Sequence, residues 1–224
     1  MIITIDGPVA SGKTTIGFLL AKKLNNIKNF FFLDTGLIYR KYTYLTLQNQ
    51  HNQTPNFSIN QFKDLIVIPT NLEEFEQKIK YLFTEEIAIL TSKQSQDKKI
   101  REYLTKIQKE LVNNNNVVVV GRDSGTVVFK NAQFKFFLYA STYIRALRRY
   151  YQYKKTNPDL KLSYQEILNQ IIQRDNQDKT RKYAPLPNPN NLPPDFILIN
   201  TDNLNINETV EKMFSIITQN KINN

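Results

Sequence analysis

The sequence predicts an α/β fold, with a sheet of five parallel strands covered by helices on both faces. Short runs of β-branched and aromatic residues alternate along the chain with segments whose apolar residues recur at helical spacing. A glycine turn joins the first run to the first helical segment. This alternation favours parallel pairing, because parallel strands need a long crossover connection. A chain of 224 residues is long enough for one sizeable core of this kind.

Five segments have the length and composition of buried strands, namely 2–5, 30–33, 117–120, 134–138 and 195–200. Helical periodicity marks the segments 13–24, 37–48, 96–112, 142–153, 164–175 and 206–219. Ser163 and Glu166 have the spacing of a capping box and predict the start of one of these helices.

Two regions interrupt the alternation. Residues 50–95 combine a polar loop, a short helix at 59–66 and strand-like pieces at 65–68 and 80–83, which predicts a small insertion domain. Residues 174–194 are charged and then rich in proline. We interpret them as a mobile lid, with an ordinary surface loop as the alternative. The core would then comprise 1–49, 96–173 and 195–224.

Composition limits the classes of function. The formal net charge of +10 fits either a nucleic-acid binder or an enzyme with polyanionic substrates. The absence of cysteine excludes disulfides, thiolate catalysis and zinc–thiolate sites. No apolar run approaches the roughly 20 residues of a membrane helix, and no basic leader with an apolar core precedes the first strand. We therefore expect an unexported, cytoplasmic protein without a membrane partner.

Residues 7–14 match the phosphate-binding pattern G-x-x-x-x-G-K-S/T in full, between a predicted strand and a predicted helix. Lys13 would bridge the β- and γ-phosphates of ATP, and the Thr14 hydroxyl would bind Mg²⁺. The predicted ATP-binding residues are Gly7, Pro8, Val9, Ala10, Ser11, Gly12, Lys13, Thr14 and Thr15. The motif predicts a P-loop NTPase fold. The D-x-x-G and N-K-x-D elements of GTPases do not occur, so a GTPase is not expected.

Two more motifs follow predicted strands, at 34–40 and 121–129. Both lie at carboxyl ends of strands, where open α/β sheets bind their ligands. They bring Arg40 and Arg122 to the cleft beside the P-loop. Either arginine alone could be a solvated helix residue or part of an ion pair at the sheet edge. Together with the P-loop, they favour a second anion-binding site.

The motifs GPVASGKTT, LDTGLIYR, VGRDSGTVVF, ASTYIRALRRY, QRDNQDKTRKYAPL and INTDNL, in this order, resemble bacterial cytidylate kinases. The resemblance extends from Ile3 to about Thr218. It implies a five-stranded parallel core with a nucleoside-monophosphate-binding insertion at 50–95 and a short lid at 174–194. It also implies transfer of the γ-phosphate of ATP, with Mg²⁺ as cofactor, to CMP and dCMP in pyrimidine nucleotide metabolism.

The resemblance also assigns roles to residues. The CMP-binding residues would be Thr35, Arg40, Ser92, Arg101, Arg122, Asp123, Arg174, Asp178 and Arg181. Among these, Arg40, Arg122 and Arg181 would hold the phosphate beside Thr35. Arg174 and Asp178 would meet the ribose hydroxyls. Arg101 and Asp123, with Ser92 as a third member, would read cytosine. The arginines of the segment 145–149 would lie near ATP, and a solvated basic helix face is the alternative.

The assignment of the base readers is chemically consistent. Arg101 offers donors to N3 and O2 of cytosine, and Asp123 or Ser92 offers an acceptor to its amine. Uracil would leave these groups mispaired. This chain departs from the family in having Ala88 where the family has an arginine, and in a shorter insertion before Arg101. Both departures predict looser base selectivity.

The predicted chemistry needs no general base, because a phosphate monoester with a second pKa near about 6 is mostly deprotonated at neutral pH. Catalysis would consist of alignment and charge neutralisation, with the positive charge supplied by Lys13, Arg40, Arg122, Arg174 and Arg181. One alternative is a kinase for another acceptor, such as UMP. A second alternative is a non-enzymatic RNA-binding protein that uses the basic and aromatic run at 148–155. We expect a monomer that binds ATP and CMP and no nucleic acid.

Overall fold

The computed structural model describes residues 1–49, 56–156 and 161–222. In chain order, its strands and helices are β1 (Ile2–Asp6), α1 (Lys13–Asn25), β2 (Phe31–Asp34), α2 (Thr35–Asn49), β3 (Ile66–Val67), α3 (Leu72–Ile79), α4 (Glu85–Gln94), α5 (Lys98–Val112), β4 (Val117–Val120), β5 (Phe134–Tyr139), α6 (Thr142–Thr156), α7 (Tyr164–Thr180), β6 (Phe196–Asn200) and α8 (Ile206–Ile222). Short 3-10 helices span Ile59–Leu65 and Lys80–Leu82, and a π-helical turn spans Ser124–Val128.

Within the described residues, the strands form one sheet in the order β3-β2-β4-β1-β5-β6. The five predicted strands are parallel, with β1 at the centre between β4 and β5. Ile3 lies opposite Val118 on one side and Phe134 on the other. The four valines of β4 are buried, as expected for a strand covered on both faces. The parallel α/β core is therefore confirmed.

The sheet differs from the prediction at one edge. β3 pairs antiparallel with β2, so that the described sheet has six strands rather than five. The strand-like piece at 65–68 thus contributes a two-residue strand of β-branched residues, Ile66 and Val67, to the free edge of β2. The prediction of a second strand-like piece, at 80–83, was wrong. It forms a 3-10 turn in which Leu82 is buried.

The predicted insertion is mostly helical, although the sequence prediction missed α3 and α4. Asn71 caps α3 by accepting the N–H groups of Glu73 and Glu74, and Thr84 caps α4. Phe75 of α3 stacks on Phe18 of α1 with 5.4 Å between ring centroids, which attaches α3 to the core. Residues 50–55, the first part of the predicted insertion, lie outside the described residues.

The helix predicted at 164–175 continues to Thr180, so that the first part of the predicted lid is the last part of α7. Residues after Thr180 form turns and irregular structure up to β6. Arg174 and Asp178 form an i, i+4 ion pair on this extension, which stabilises the polar end of the helix. The division into core, insertion and lid stays a prediction.

α1 lies unusually close to the sheet at Gly17. A Cβ atom at this position would lie 2.3 Å from Cγ1 of Val120 and 3.2 Å from Cε2 of Phe32. Such distances are far below van der Waals contact, so only glycine allows this approach. The approach fixes how the amino-terminal end of α1 sits above the sheet.

Among the helices that the structure describes, none has both the length and the apolar character needed to cross a bilayer.

Candidate active site

A cleft of about 690 Å³ opens at the carboxyl ends of the central strands. Its walls come from the loop before α1, the start of α2, α4, the loop after β4 and α7. The volume lies within the roughly 300–1,000 Å³ that is typical of small-molecule sites. Lys13, Thr14, Thr35, Arg40, Ser92, Arg101, Arg122, Asp123, Arg174 and Arg181 all line it. The structure thus brings most of the predicted donor and acceptor residues into one cleft.

The P-loop joins β1 to α1, as predicted. Gly12 has a φ of 86°, in the left-handed region that favours glycine, and Ala10 also has a positive φ of 58°. α1 begins directly afterwards at Lys13, so its free N–H groups and the positive end of its dipole face the cleft. This arrangement is suited to binding phosphate.

Lys13 lies against the loop. Its Nζ donates to the Pro8 carbonyl at 2.6 Å and to Ser11 Oγ at 3.2 Å. Burial, and then the nearby positive charge of Arg122, lower the pKa of Lys13 to about 7. Lys13 is therefore only partly charged at neutral pH until a negative group approaches it.

Thr14 meets an acidic residue to which the sequence analysis assigned no role. Its Oγ1 donates to Oδ2 of Asp34 at 2.6 Å, and Oδ1 of Asp34 accepts the Gly36 N–H at 2.8 Å. No three acidic or histidine side chains in the described part of the chain converge on a ready-made metal site. A hydroxyl and a carboxylate oxygen are nevertheless ligands that suit Mg²⁺. The pair therefore fits the metal that the P-loop motif implies.

The acceptor side is built from arginines held by two carboxylates. Arg122 forms an ion pair with Asp178, whose oxygens also lie 3.4 Å from Arg174 Nε and 3.6 Å from Arg181 Nη1. Arg181 also pairs with Asp123 at 3.2 Å and so links the two carboxylates. Burial, and then the charge of Arg122, lower the pKa of Arg174 to about 10. Burial and the neighbouring positive charge therefore both lower the proton affinity of Arg174.

Asp178 is 2% exposed and lies beneath these arginines. It is absent from the cleft lining. Its predicted contact with ribose stays a prediction. Ser92 does reach the site although the insertion is short, since Arg174 donates to its Oγ and that hydroxyl lies 3.2 Å from Gln177 Oε1.

Arg40 and Thr35 are positioned by backbone carbonyls. Nη1 of Arg40 donates to the Leu82 carbonyl at 2.9 Å, and its guanidinium carbon lies 4.5 Å from the centroid of the Phe83 ring. Burial lowers the pKa of Arg40. Thr35 Oγ1 donates to the Val120 carbonyl at 3.0 Å. The 3-10 turn of the insertion therefore orients Arg40, which is predicted to bind the acceptor phosphate.

The two predicted base readers bind each other. Arg101 Nη2 donates to Oδ2 of Asp123 at 2.5 Å, and its Nη1 donates to the Ser95 carbonyl at 3.0 Å. Arg101 also lies 5.6 Å from the ring centroid of Tyr39. Burial raises the pKa of the Tyr39 hydroxyl to about 12, so this ring stays neutral. The guanidinium and the carboxylate are thus held rigidly at one end of the cleft.

The arginines of α6 do not form the solvated face that was the alternative for the 145–149 segment, and their proximity to ATP stays a prediction. Arg145 is 3% exposed and donates to the Val9 carbonyl at 2.8 Å and to Asp175 at 2.6 Å. Arg148 donates to backbone carbonyls between β6 and α8. Both therefore hold backbone segments together. Arg149, by contrast, lines the cleft.

Asp6 and Asp175 are further acidic residues that the sequence analysis missed. Asp6 is buried and accepts the N–H groups of Ser124 and Gly125, at 2.9 and 2.7 Å, which holds the turn after Arg122 and Asp123. Burial raises the pKa of Asp6 to about 6. Its place at the end of β1, before the P-loop, could have indicated such a role.

The chain is similar to known proteins over nearly its whole length. A family model described as cytidylate kinase matches residues 3–219. The curated relatives include the cytidylate kinase of Thermosipho melanesiensis, which is 38% identical over 220 residues that cover 97% of this chain and 96% of that protein. The cytidylate kinase of Fervidobacterium nodosum is 39% identical over 226 residues, with 97% and 96% covered. That of Protochlamydia amoebophila is 40% identical over 223 residues, with 95% and 94% covered.

Proposed function

The chain belongs to the cytidylate kinase family, and on that premise we propose that its cleft transfers the γ-phosphoryl group of ATP to CMP. The observation that carries the proposal is the meeting, in one cleft, of a P-loop and a group of arginines supplied by other elements. The P-loop suits the polyphosphate of the donor, and the arginines suit the phosphate of the acceptor. Phosphoryl transfer needs both at once.

On the donor side, the P-loop amides and Lys13 hold the ATP phosphates. Thr14 and Asp34 would hold the Mg²⁺ that accompanies ATP, and the 2.6 Å between their oxygens supports this choice of cofactor. When bound, this ion neutralises charge on the β- and γ-phosphates. Lys13 regains its proton as the phosphates approach, since negative charge favours the protonated amine.

On the acceptor side, Arg40, Arg122 and Arg181 hold the CMP phosphate, and Arg101 and Asp123 read the cytosine. Arg101 and Asp123 already form a rigid donor and acceptor pair, which supports this assignment. Asp178 is occupied by three arginines, so it is poorly placed to demand a 2′-hydroxyl. This supports acceptance of dCMP as well as CMP.

The residues described here act by alignment and charge. The acceptor oxygen needs no base, since a phosphate monoester has already lost its second proton at neutral pH. The arginines hold two polyanions close together and stabilise the charge that develops as the phosphoryl group moves between them. Closure of the cleft by α7 and the segment after it would exclude water as a competing acceptor.

The partners and location follow from the same proposal. We take ATP and CMP, rather than nucleic acid, to be the partners, because Arg40, Arg122, Arg174 and Arg181 converge in one cleft instead of being spread over the surface. We place the reaction in the cytoplasm, where both nucleotides are available. One chain contains both the donor and the acceptor residues, which supports a monomer.

The test is ADP formation over a panel of CMP, dCMP, UMP and AMP, with ATP and Mg²⁺. We expect kcat/KM for CMP to exceed that for UMP by about 10²-fold or more, because mispaired buried polar groups discriminate strongly. ATP incubated without an acceptor controls for hydrolysis. Equal efficiency with all four acceptors, or ADP formation that does not need an acceptor, would exclude the proposal.

A further inference from the structure

We propose that Asp175, through its ion pair with Arg145, is a positioning residue that couples occupancy of the P-loop to the acceptor arginines of α7. The inference rests on the proposed function in one respect, namely that the cleft holds a donor and an acceptor together. It concerns residues that touch neither nucleotide in the assignments above.

The first step is the contact between this pair and the P-loop. Oδ1 of Asp175 lies 3.4 Å from the Val9 N–H that donates to it, and Nη1 of Arg145 donates to the Val9 carbonyl at 2.8 Å. Nη2 of Arg145 donates to Oδ2 of Asp175 at 2.6 Å. Asp175 and Arg145 are 4% and 3% exposed. Both polar groups of one residue in the loop are therefore held by a buried ion pair.

The second step is the position of Asp175 on α7. Its neighbour Arg174 and the residue three positions later, Asp178, face the acceptor side, where they pair with each other and Asp178 also pairs with Arg122. An α-helix is rigid over one turn and rises about 1.5 Å per residue. A shift of Asp175 towards or away from the loop is therefore transmitted to Arg174 and Asp178.

The third step is apolar packing that joins the same elements. Ala146, Ile167 and Ile171 form a buried cluster between α6 and α7 that is separate from the main core. Val9 and Ala10 of the P-loop pack against this cluster. Loop, α6 and α7 therefore share contacts that the central sheet does not supply.

The consequence is an energetic link between the two substrates. Bound phosphates contact the loop that contains Val9, and any displacement of Val9 acts directly on Asp175. α7 then carries Arg174 to the acceptor side, together with Asp178, which holds Arg122. Such a link gives a typical change of about 5–150-fold in the affinity for one ligand when the other is bound.

The main experiment measures Kd for CMP with and without a saturating non-hydrolysable ATP analogue and Mg²⁺. In the wild type, we expect the analogue to tighten CMP binding by at least about fivefold. In Asp175→Asn, which keeps the size of the side chain and an acceptor for Val9, the ratio should fall below about twofold. An unchanged ratio in the variant, or a ratio of one in the wild type, would refute the inference.

A second variant separates positioning from folding. Arg145→Met combined with Asp175→Leu replaces the buried pair by apolar side chains, a change that often preserves or raises stability. It should therefore fold, bind the ATP analogue and still lack the coupling. Arg148→Met is the matched control, because Arg148 is an arginine of the same helix that holds carbonyls of Thr201 and Leu204 rather than the P-loop. This control should keep the wild-type ratio, whatever it does to the melting temperature.

Amide hydrogen exchange gives a readout that does not depend on CMP being the acceptor. The ATP analogue alone should slow exchange in residues 171–178 of the wild type by about fivefold, in line with the coupling expected above. In Asp175→Asn and in the double variant, the P-loop amides should be protected while those of α7 are not. Protection of α7 in both variants would overturn the inference. Failure of the wild type to phosphorylate CMP would overturn only the proposed function.

Discussion

The donor and acceptor halves of the cleft hold phosphate by different means. The donor half is one contiguous segment, in which backbone N–H groups and a helix terminus do most of the binding and Lys13 adds a single side-chain charge. The acceptor half draws its charges from α2, α5, the loop after β4 and α7. There Asp123 and Asp178 hold guanidinium groups that would otherwise repel one another.

The difference shows how much each half depends on tertiary structure. Backbone dipoles need no counter-ion and are already aimed at the ligand, so the donor half is preorganised by local structure. The acceptor half is preorganised only as long as its ion pairs persist. An incoming phosphate must compete with two carboxylates for the same arginines. Substitutions should therefore have local effects in the donor half and distributed effects in the acceptor half.

The largest expected effect is the loss of the donor-side charge. Lys13→Met should lower kcat by about 10³-fold or more, a magnitude typical of a cation at a phosphoryl-transfer transition state. The melting temperature should change by less than about 5 °C, because the substitution removes an amine that burial already disfavours as a cation. Coupled turnover assays and thermal unfolding measure the two quantities.

Lys22→Met is the control for this variant, since Lys22 lies exposed on the same helix. It should match the wild type in both measurements. Turnover by Lys13→Met near the wild-type rate would contradict the assignment of Lys13 to the phosphates of the donor.

The next effect concerns the acceptor phosphate. Arg122→Ala should weaken CMP binding by about 10²-fold, because the variant lacks one cation for the acceptor phosphate and leaves the buried charge of Asp178 less compensated. Binding of an ATP analogue to the same variant should change less than twofold. Calorimetric titration with each nucleotide separates the two outcomes. Lys130→Ala is the matched control, because Lys130 is an exposed cation a few residues further along. Equal affinity of the wild type for cytidine and CMP would show that the arginines do not bind the phosphate.

A smaller effect tests the assignment of Arg101 and Asp123 as the residues that bind the cytosine base. Arg101→Met keeps the length of the side chain and removes its donors, at a cost of about 1–3 kcal/mol for an unpaired buried partner. The ratio of kcat/KM for CMP to that for UMP should fall accordingly, with little change in KM for ATP. Lys106→Met, at an exposed position of the same helix, should leave the ratio unchanged. A ratio unaltered by Arg101→Met would mean that other residues bind the cytosine base. The alanine at position 88 and the short insertion, which predict looser base selectivity, give that outcome a structural reason.

The smallest effect is the pH dependence of donor binding. The pKa of Lys13 is about 7 in the free protein, and bound phosphates raise it. Binding therefore takes up a proton above pH 7, and affinity for the ATP analogue should fall by about fivefold between pH 7 and pH 8. Titration calorimetry in two buffers with different ionisation heats measures the proton uptake. Lys13→Arg stays charged over this range and should show no such fall; an identical fall in that variant would assign the titration to another group.

The same difference between the halves explains what the sequence could predict. The P-loop was found from neighbouring residues, because its geometry is local. The strands were found from their β-branched runs, and β3 was missed as part of the sheet because pairing of two residues leaves almost no pattern. α3 and α4 carried usable signals at Asn71 and Thr84, which the strand-like pieces obscured.

Arg40 and Arg122 were predicted from their positions at the carboxyl ends of strands, but the other acceptor residues were predicted only through family resemblance, and the tertiary contacts were not predicted at all. The pairing of Thr14 with Asp34 and that of Arg145 with Asp175 join residues far apart in the chain. No spacing rule links such positions. Helix α7 was predicted to end at residue 175 because its last turns are polar, whereas ion pairs such as that of Arg174 with Asp178 let a polar segment stay helical.

Gly17 bears on which sequence changes the protein can tolerate. A methyl group there would meet Val120 at 2.3 Å, and an outward displacement of α1 would relieve this clash. That displacement would move the end of the helix that receives phosphate, while Val120 directly precedes Gly121 and Arg122 on the acceptor side. In a library of variants selected for growth, position 17 should accept only glycine, although this residue contacts no substrate. Lys22, on the same helix and turned to solvent, should accept almost any residue.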